Sequence, residues 1–222
     1  MADDEPKDAS DQALEADDRE SDIDAPDPAA DLELAPDPRD APPPPAVAEL
    51  AAACARFVAS KYKVPLDFAP ETLSLVDQYV RDARSELAEK PEAIDLVQAS
   101  IGAYLGEVLR RTFGATWFCD GDHDGWRLDF TFVYLSFNPI GMAREALSLA
   151  TQEGWHAHLE TDPGERDFLE GRLKLVGEVD EEEYYAPTTR FDVVEIAVDT
   201  LRAKMENDGN GDVTFGPDDY TR

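Results

Sequence analysis

The chain has 222 residues, 42% of them hydrophobic, with 50 Asp and Glu against 20 Lys and Arg and a formal charge of −30. That length holds one domain of ordinary size, able to bury a core without disulfide staples. The charge argues against direct binding to nucleic-acid phosphates and against anionic membranes; it leaves open a basic partner, a cation or mimicry of nucleic acid toward a DNA-binding protein, with plain solubility as the competing reading.

Two cysteines, Cys54 and Cys119, stand in no paired metal-type spacing and read as buried thiols of a reducing cytoplasm. The start of the chain shows no charged-then-apolar signal pattern, and no apolar run has the length of a bilayer span. These features predict a soluble, cytoplasmic protein.

Residues 1–45 carry 16 Asp and Glu against three basic residues, nine of the 16 prolines and no aromatic side chain, and end in Pro42 to Pro45. Such a segment has too little apolar surface to offset ordering entropy, so it reads as a disordered acidic, proline-rich tail. A single α+β domain is expected over 46–206, followed by a flexible tail over 207–222.

Within the domain, Val47, Leu50, Ala51, Cys54, Phe57 and Val58 recur at helical spacing and predict a first helix ending by Lys63, before Val64-Pro65. Leu73, Val76, Val80, Ala83 and Leu87 predict a second helix opened by Pro70. A third begins near Pro91, with Ile94, Val97, Ile101, Leu105 and Val108 as its apolar stripe and Gly114 as its stop. Gly102 and Gly106 within it each cost about 1 kcal/mol relative to alanine, which predicts a compensating close approach.

Beyond Gly114, Thr116 to Cys119 and Trp126 to Phe137 are aromatic and β-branched, with Asp120-Gly121-Asp122-His123-Asp124-Gly125 between them, and predict an antiparallel hairpin. The second run reads as one bent strand or two short ones. Alternation puts Leu128, Phe130, Phe132 and Tyr134 on one face and Val133, Leu135 and Phe137 on the other, which predicts a central strand, covered on both sides or curled over a small core. Asn138-Pro139 ends it.

A short helix follows through Ile140, Ala143, Leu147 and Ala150 to Gly154, then a candidate strand over 155–160 and a weaker helix through Phe168, Leu169, Leu173 and Val176, with Gly171 and Gly177 against it. The acidic run Asp180 to Glu183 and Pro187 read as breakers. A last helix runs through Val194, Ala197, Val198, Leu201 and Met205, with Thr189 and Asp192 in a capping arrangement. The sum is an α+β fold: N-terminal helices on a small antiparallel sheet, with further helices C-terminal to it.

Asp120, Asp122, Asp124 and Gly125 match the first half of an EF-hand loop, and so suggest Ca2+ or another divalent cation. The required Glu is replaced by Thr131, and the flanks read as strands, so a solvated turn competes with that reading. Asp208, Asn210 and Asp212 form a weaker echo. His156 and His158 share one side of the candidate strand and could bind a transition metal with Glu160, but the ligand set is incomplete, and exposed polar positions on a half-buried strand are the competing reading. No nucleophile elbow, cysteine motif or phosphate loop occurs, and Glu107 reads as a salt-bridge partner of Arg110 or Arg111. Tyr104, Glu107, Trp126 and Trp155 are the candidate interaction residues, with buried core the competing reading for each aromatic.

The segment Ile101 to Val108, followed by Gly114 and Trp117, resembles a segment of uncharacterised bacterial domains, some of them in toxin-immunity neighbourhoods. The resemblance implies a compact bacterial α+β domain that binds a protein and carries no catalytic residues across. The expected function is a non-catalytic, cytoplasmic interaction module, adaptor, regulatory or immunity-like. The alternatives are a metal-assisted enzyme or ligand-binding domain using the Asp120–Asp124 hairpin, and a self-assembling scaffold component.

Overall fold

The computed structural model describes residues 37–220 except 176 and 178. The acidic tail expected over 1–45 thus falls largely outside the described residues. Its last part, 37–45, is ordered: a turn from Asp37 to Asp40 leads into helix α1 (Pro45–Tyr62). Pro45 serves there as a first-turn proline, and Lys63 closes the helix in the left-handed region, with φ of 62°.

Two 3-10 turns, Pro70–Thr72 and Pro91–Ala93, open α2 (Leu73–Glu89) and α3 (Ile94–Phe113). Helix α3 is the centre of the fold. Every residue from Gln98 to Arg110 is buried, so it is covered all round rather than along the one stripe its periodicity suggested. A Cβ on Gly102 would run into the backbone of Ile140, with the Pro139 carbonyl oxygen at 2.7 Å, while one on Gly106 would strike the Trp117 ring. The two glycines are therefore where a neighbouring backbone and an indole seat against the helix.

Four antiparallel strands follow in the order β1-β2-β3-β4: β1 (Ala115–Phe118), β2 (Arg127–Phe130), β3 (Leu135–Phe137) and β4 (Glu160–Thr161). The long aromatic run is two strands joined by a tight turn over 131–134, and this reverses the expected faces. Trp117 lies opposite Leu128, which lies opposite Phe137, so Ala115, Trp117, Leu128, Phe130, Leu135 and Phe137 share the core face. The other face carries Thr116, Phe118, Arg127, Asp129, Ser136 and Glu160, so the sheet is apolar on one side only.

Helix α4 (Pro139–Ser148) packs along α3 and is capped by the buried Asn138, whose side-chain oxygen accepts from the amides of Ile140 (2.8 Å) and Gly141 (3.2 Å). The expected strand over 155–160 shrinks to Glu160–Thr161, because Gly154 and His156 both have positive φ and turn the chain instead. Helix α5 (Arg166–Leu173) follows. The acidic run then forms a short helix, α6 (Glu181–Tyr185), because Asp180 accepts from the Glu183 amide as an N-cap. Pro187 opens α7 (Pro187–Asn207) rather than breaking it, and the cap comes from another helix: Asp77 of α2 accepts from the Thr188 amide at 3.0 Å and from its hydroxyl.

Residues 207–220, expected as a flexible tail, return to the sheet. The Phe215 amide donates to the Thr131 carbonyl (2.8 Å), and Tyr220 is 3% exposed. The Tyr220 hydroxyl bonds the carbonyls of Phe130 and Val133 and the amide of Leu135, which holds the 131–134 turn from the far end of the chain.

Candidate functional site

The sequence candidates separate into core residues and cleft residues. Tyr104 is fully buried, stacked on Phe68 at 4.8 Å, and its hydroxyl accepts from the Phe68 amide and pairs with Thr72. Tyr104 is therefore a core residue rather than an interaction anchor. Glu107 is 1% exposed and takes Arg110 in a two-point ion pair (2.9 and 3.1 Å), with the Trp117 indole N–H at 2.9 Å. Arg110 in turn donates to the carbonyls of Pro38 and Arg39, tying the turn before α1 to α3. This network is structural and has no access to a partner.

Four of the remaining candidates converge. Asp122, Asp124, Trp126 and Trp155 line one cleft of about 410 Å³ together with His123 and with Asp95 and Gln98 from the first half of α3. Asp95, Asp122 and Asp124 are exposed, whereas Trp126 is buried to 8% exposure and Trp155 is half-buried, so carboxylates rim a floor of indoles.

The chain builds this cleft from three segments, each held in place by named contacts. Asn138, besides capping α4, donates through its amide nitrogen to the carbonyls of His123 (2.8 Å) and Asp124 (3.2 Å), pinning the hairpin loop to the helix start. The Trp126 indole N–H donates to the Gly121 carbonyl, and His123 meets that ring edge-on at 4.7 Å. Trp155 sits against the first turn of α4, where a Cβ on Gly141 would collide with the Trp155 carbonyl oxygen. The Arg144 guanidinium covers one face of the Trp155 ring at 4.8 Å and donates to Gln98 at 3.0 Å, and Gln98 reaches Asp95 at 3.4 Å. Arg144 thus supports two lining residues, Trp155 and Gln98, while no Lys or Arg lines the cleft itself.

Asp120 lies outside this cleft, exposed in the loop. Among the described residues, no three His, Cys, Asp or Glu side chains come together as a metal-ligand set, so the Asp120, Asp122, Asp124 triplet is not assembled into the half EF-hand its spacing suggested. The geometric reason is the short 3-10 turn His123–Gly125, flanked by strands rather than helices. His156 pairs with Glu160 at 3.3 Å beside a smaller pocket that shares Asp124 and Trp126 with the cleft, while His158 is exposed. Burial pushes the Cys54 thiol up to about 12 and the Cys119 thiol up to about 11, so neither supplies a thiolate nucleophile near neutral pH.

Sequence reasoning missed Asp95 and Gln98. No local pattern marks them: Gln98 is a polar residue on a mostly apolar helix, and only the fold shows that it is buried, at 1% exposure.

An aromatic floor with an acidic rim suits a cation: ring quadrupoles attract it electrostatically, and carboxylates pair with it at the mouth. Compared with known proteins, the chain matches no family model, no curated sequence and no solved structure. No helix among the described residues is long and apolar enough to cross a membrane.

Proposed function

We propose that the protein is a non-catalytic interaction module, adaptor or immunity-like, whose cleft receives a basic side chain presented by a protein partner. The observation that carries this reading is the convergence of Asp95, Asp122 and Asp124 on the Trp126 and Trp155 indoles in one concave site. The formal charge of −30 supports it from a distance, because a strongly acidic surface speeds the encounter with a basic partner and makes the complex weaken as salt rises. The test is capture of partners by the full chain and by an Asp122→Asn, Asp124→Asn variant at low and high salt. Partners retained by the parent, lost by the variant and released by salt fit the proposal. Retention by both proteins at high salt contradicts it.

A second reading, a small-ligand site in the same cleft, draws on the same concavity and on His123 lying beside the two carboxylates. Calorimetry with calcium separates its metal-dependent form: saturable heat lost in the Asp122→Asn, Asp124→Asn variant favours that form, and no heat at millimolar calcium removes it.

A further inference from the structure

The segment after α7 has no apolar periodicity, yet it is wrapped back onto the sheet and roofs a second cleft of about 430 Å³. Tyr134, Leu201, Met205 and Phe215 supply its apolar walls. The Tyr134 ring is fixed there on two sides, stacked on Tyr220 at 4.7 Å and met edge-on by Phe215 at 5.5 Å. Four carboxylates, Asp162, Glu165, Asp208 and Asp219, share the lining with a single cation, Lys204. Lys204 is already bound to Glu165 (2.8 Å) and Asp208 (3.0 Å), so it cannot balance Asp162 and Asp219 as well. Those two each use one oxygen on a local backbone amide, Asp162 on Gly164 and Asp219 on Gly216. The second oxygen of Glu165 has no hydrogen-bond partner among the described residues but is shielded from solvent, so the acceptor capacity open to a ligand is that of the exposed Asp162 and Asp219.

We infer that this cleft binds a small organic cation: an ammonium group attached to an aromatic or aliphatic body. The body packs on Tyr134, Leu201, Met205 and Phe215, and the ammonium sits among Asp162, Glu165 and Asp219 beside Lys204. Asp208 and Asn210, just after α7, both line the cleft. The site shares no lining residue with the Asp95–Trp155 cleft and stands independently of it.

The test is calorimetric titration of the full chain with tryptamine and with tryptophol, which replaces the ammonium by a neutral hydroxyl. Tryptamine is expected to bind about tenfold or more tightly than tryptophol, with amide resonances of Tyr134, Leu201 and Phe215 moving on titration. Asp162→Asn with Asp219→Asn weakens tryptamine about tenfold. Met205→Trp, which fills the cleft without touching a carboxylate, abolishes binding. Equal affinity for the two probes, resonance changes confined to Trp126 and Trp155, or undiminished binding in the Met205→Trp variant would overturn the assignment.

Discussion

Replacing Glu107 by alanine separates a structural role for that carboxylate from a functional one. The substitution removes the acceptor of two Arg110 bonds and of the Trp117 indole N–H, all of them buried. Leaving the Arg110 guanidinium at 4% exposure without its counter-charge costs about 3–5 kcal/mol. An unpaired indole N–H adds about 1–3 kcal/mol. The carbonyls of Pro38 and Arg39 still solvate one end of the guanidinium, so a net loss of about 4 kcal/mol is expected. For a domain of this size that loss lowers the melting temperature by about 8–16 °C. Urea unfolding followed by tryptophan fluorescence and by circular dichroism reads it, and Glu107→Leu paired with Arg110→Met should recover most of the stability, because both charges leave together. A loss under about 1 kcal/mol, or a double variant no better than the single, would refute the buried-pair reasoning.

Three further outcomes follow from local geometry. Gly102→Ala forces α3 and α4 apart, and about 1–3 kcal/mol of overpacking should outweigh the roughly 1 kcal/mol gained in helix propensity; an increase in the denaturation midpoint would contradict the close approach. Tyr220→Phe strips the hydroxyl that holds the 131–134 turn, at a cost of about 1–3 kcal/mol, and limited proteolysis should then cut between 207 and 220, where the parent resists. Burial raises the Asp77 carboxyl above its ordinary 3.8 despite the Thr188 bonds. A raised carboxyl contributes stability that is complete below that ordinary value and is lost as pH rises through the folded one. The stability of the parent relative to Asp77→Asn should therefore grow as pH falls from neutral toward 4, and a difference that shrinks on acidification would reverse the sign of the argument.

The helices could be read in the sequence because their apolar periods are long, as with Leu73 to Leu87 and Val194 to Met205. Gly102 and Gly106 likewise announced a close approach before any partner was known. The turn at 131–134 could not be read. Thr131-Phe132-Val133-Tyr134 contains no Gly, Pro, Asn or Asp, and the polar groups around it are satisfied by Tyr220 and Phe215, more than 80 residues away. The same long-range anchoring made residues 207–220 look loose, since one tyrosine and one phenylalanine leave no periodic pattern. Breaker residues misled in the opposite direction: Asp180 and Pro187 start helices here, because a cap and a first-turn proline look locally like interruptions.

The cleft was legible in part. Asp122, Asp124, Trp126 and Trp155 stood out by residue type, but their meeting depends on Asn138 and on the packing of Gly141 against Trp155. Asp95 and Gln98 reach the site only because α3 passes beneath the hairpin loop, which no local pattern encodes. Tyr104, by contrast, was drawn into the core by Phe68 and Thr72, contacts 36 and 32 residues distant in the chain.

The most direct measurement is a titration of the isotopically labelled protein with a short lysine-containing peptide, against the same peptide carrying norleucine in place of lysine. The account predicts saturable shifts of the Trp126 and Trp155 indole resonances with the lysine peptide alone, fading as salt rises and absent in the Asp122→Asn, Asp124→Asn variant. Indole resonances that stay still, or that respond equally to norleucine, would contradict a cleft built to receive a basic side chain.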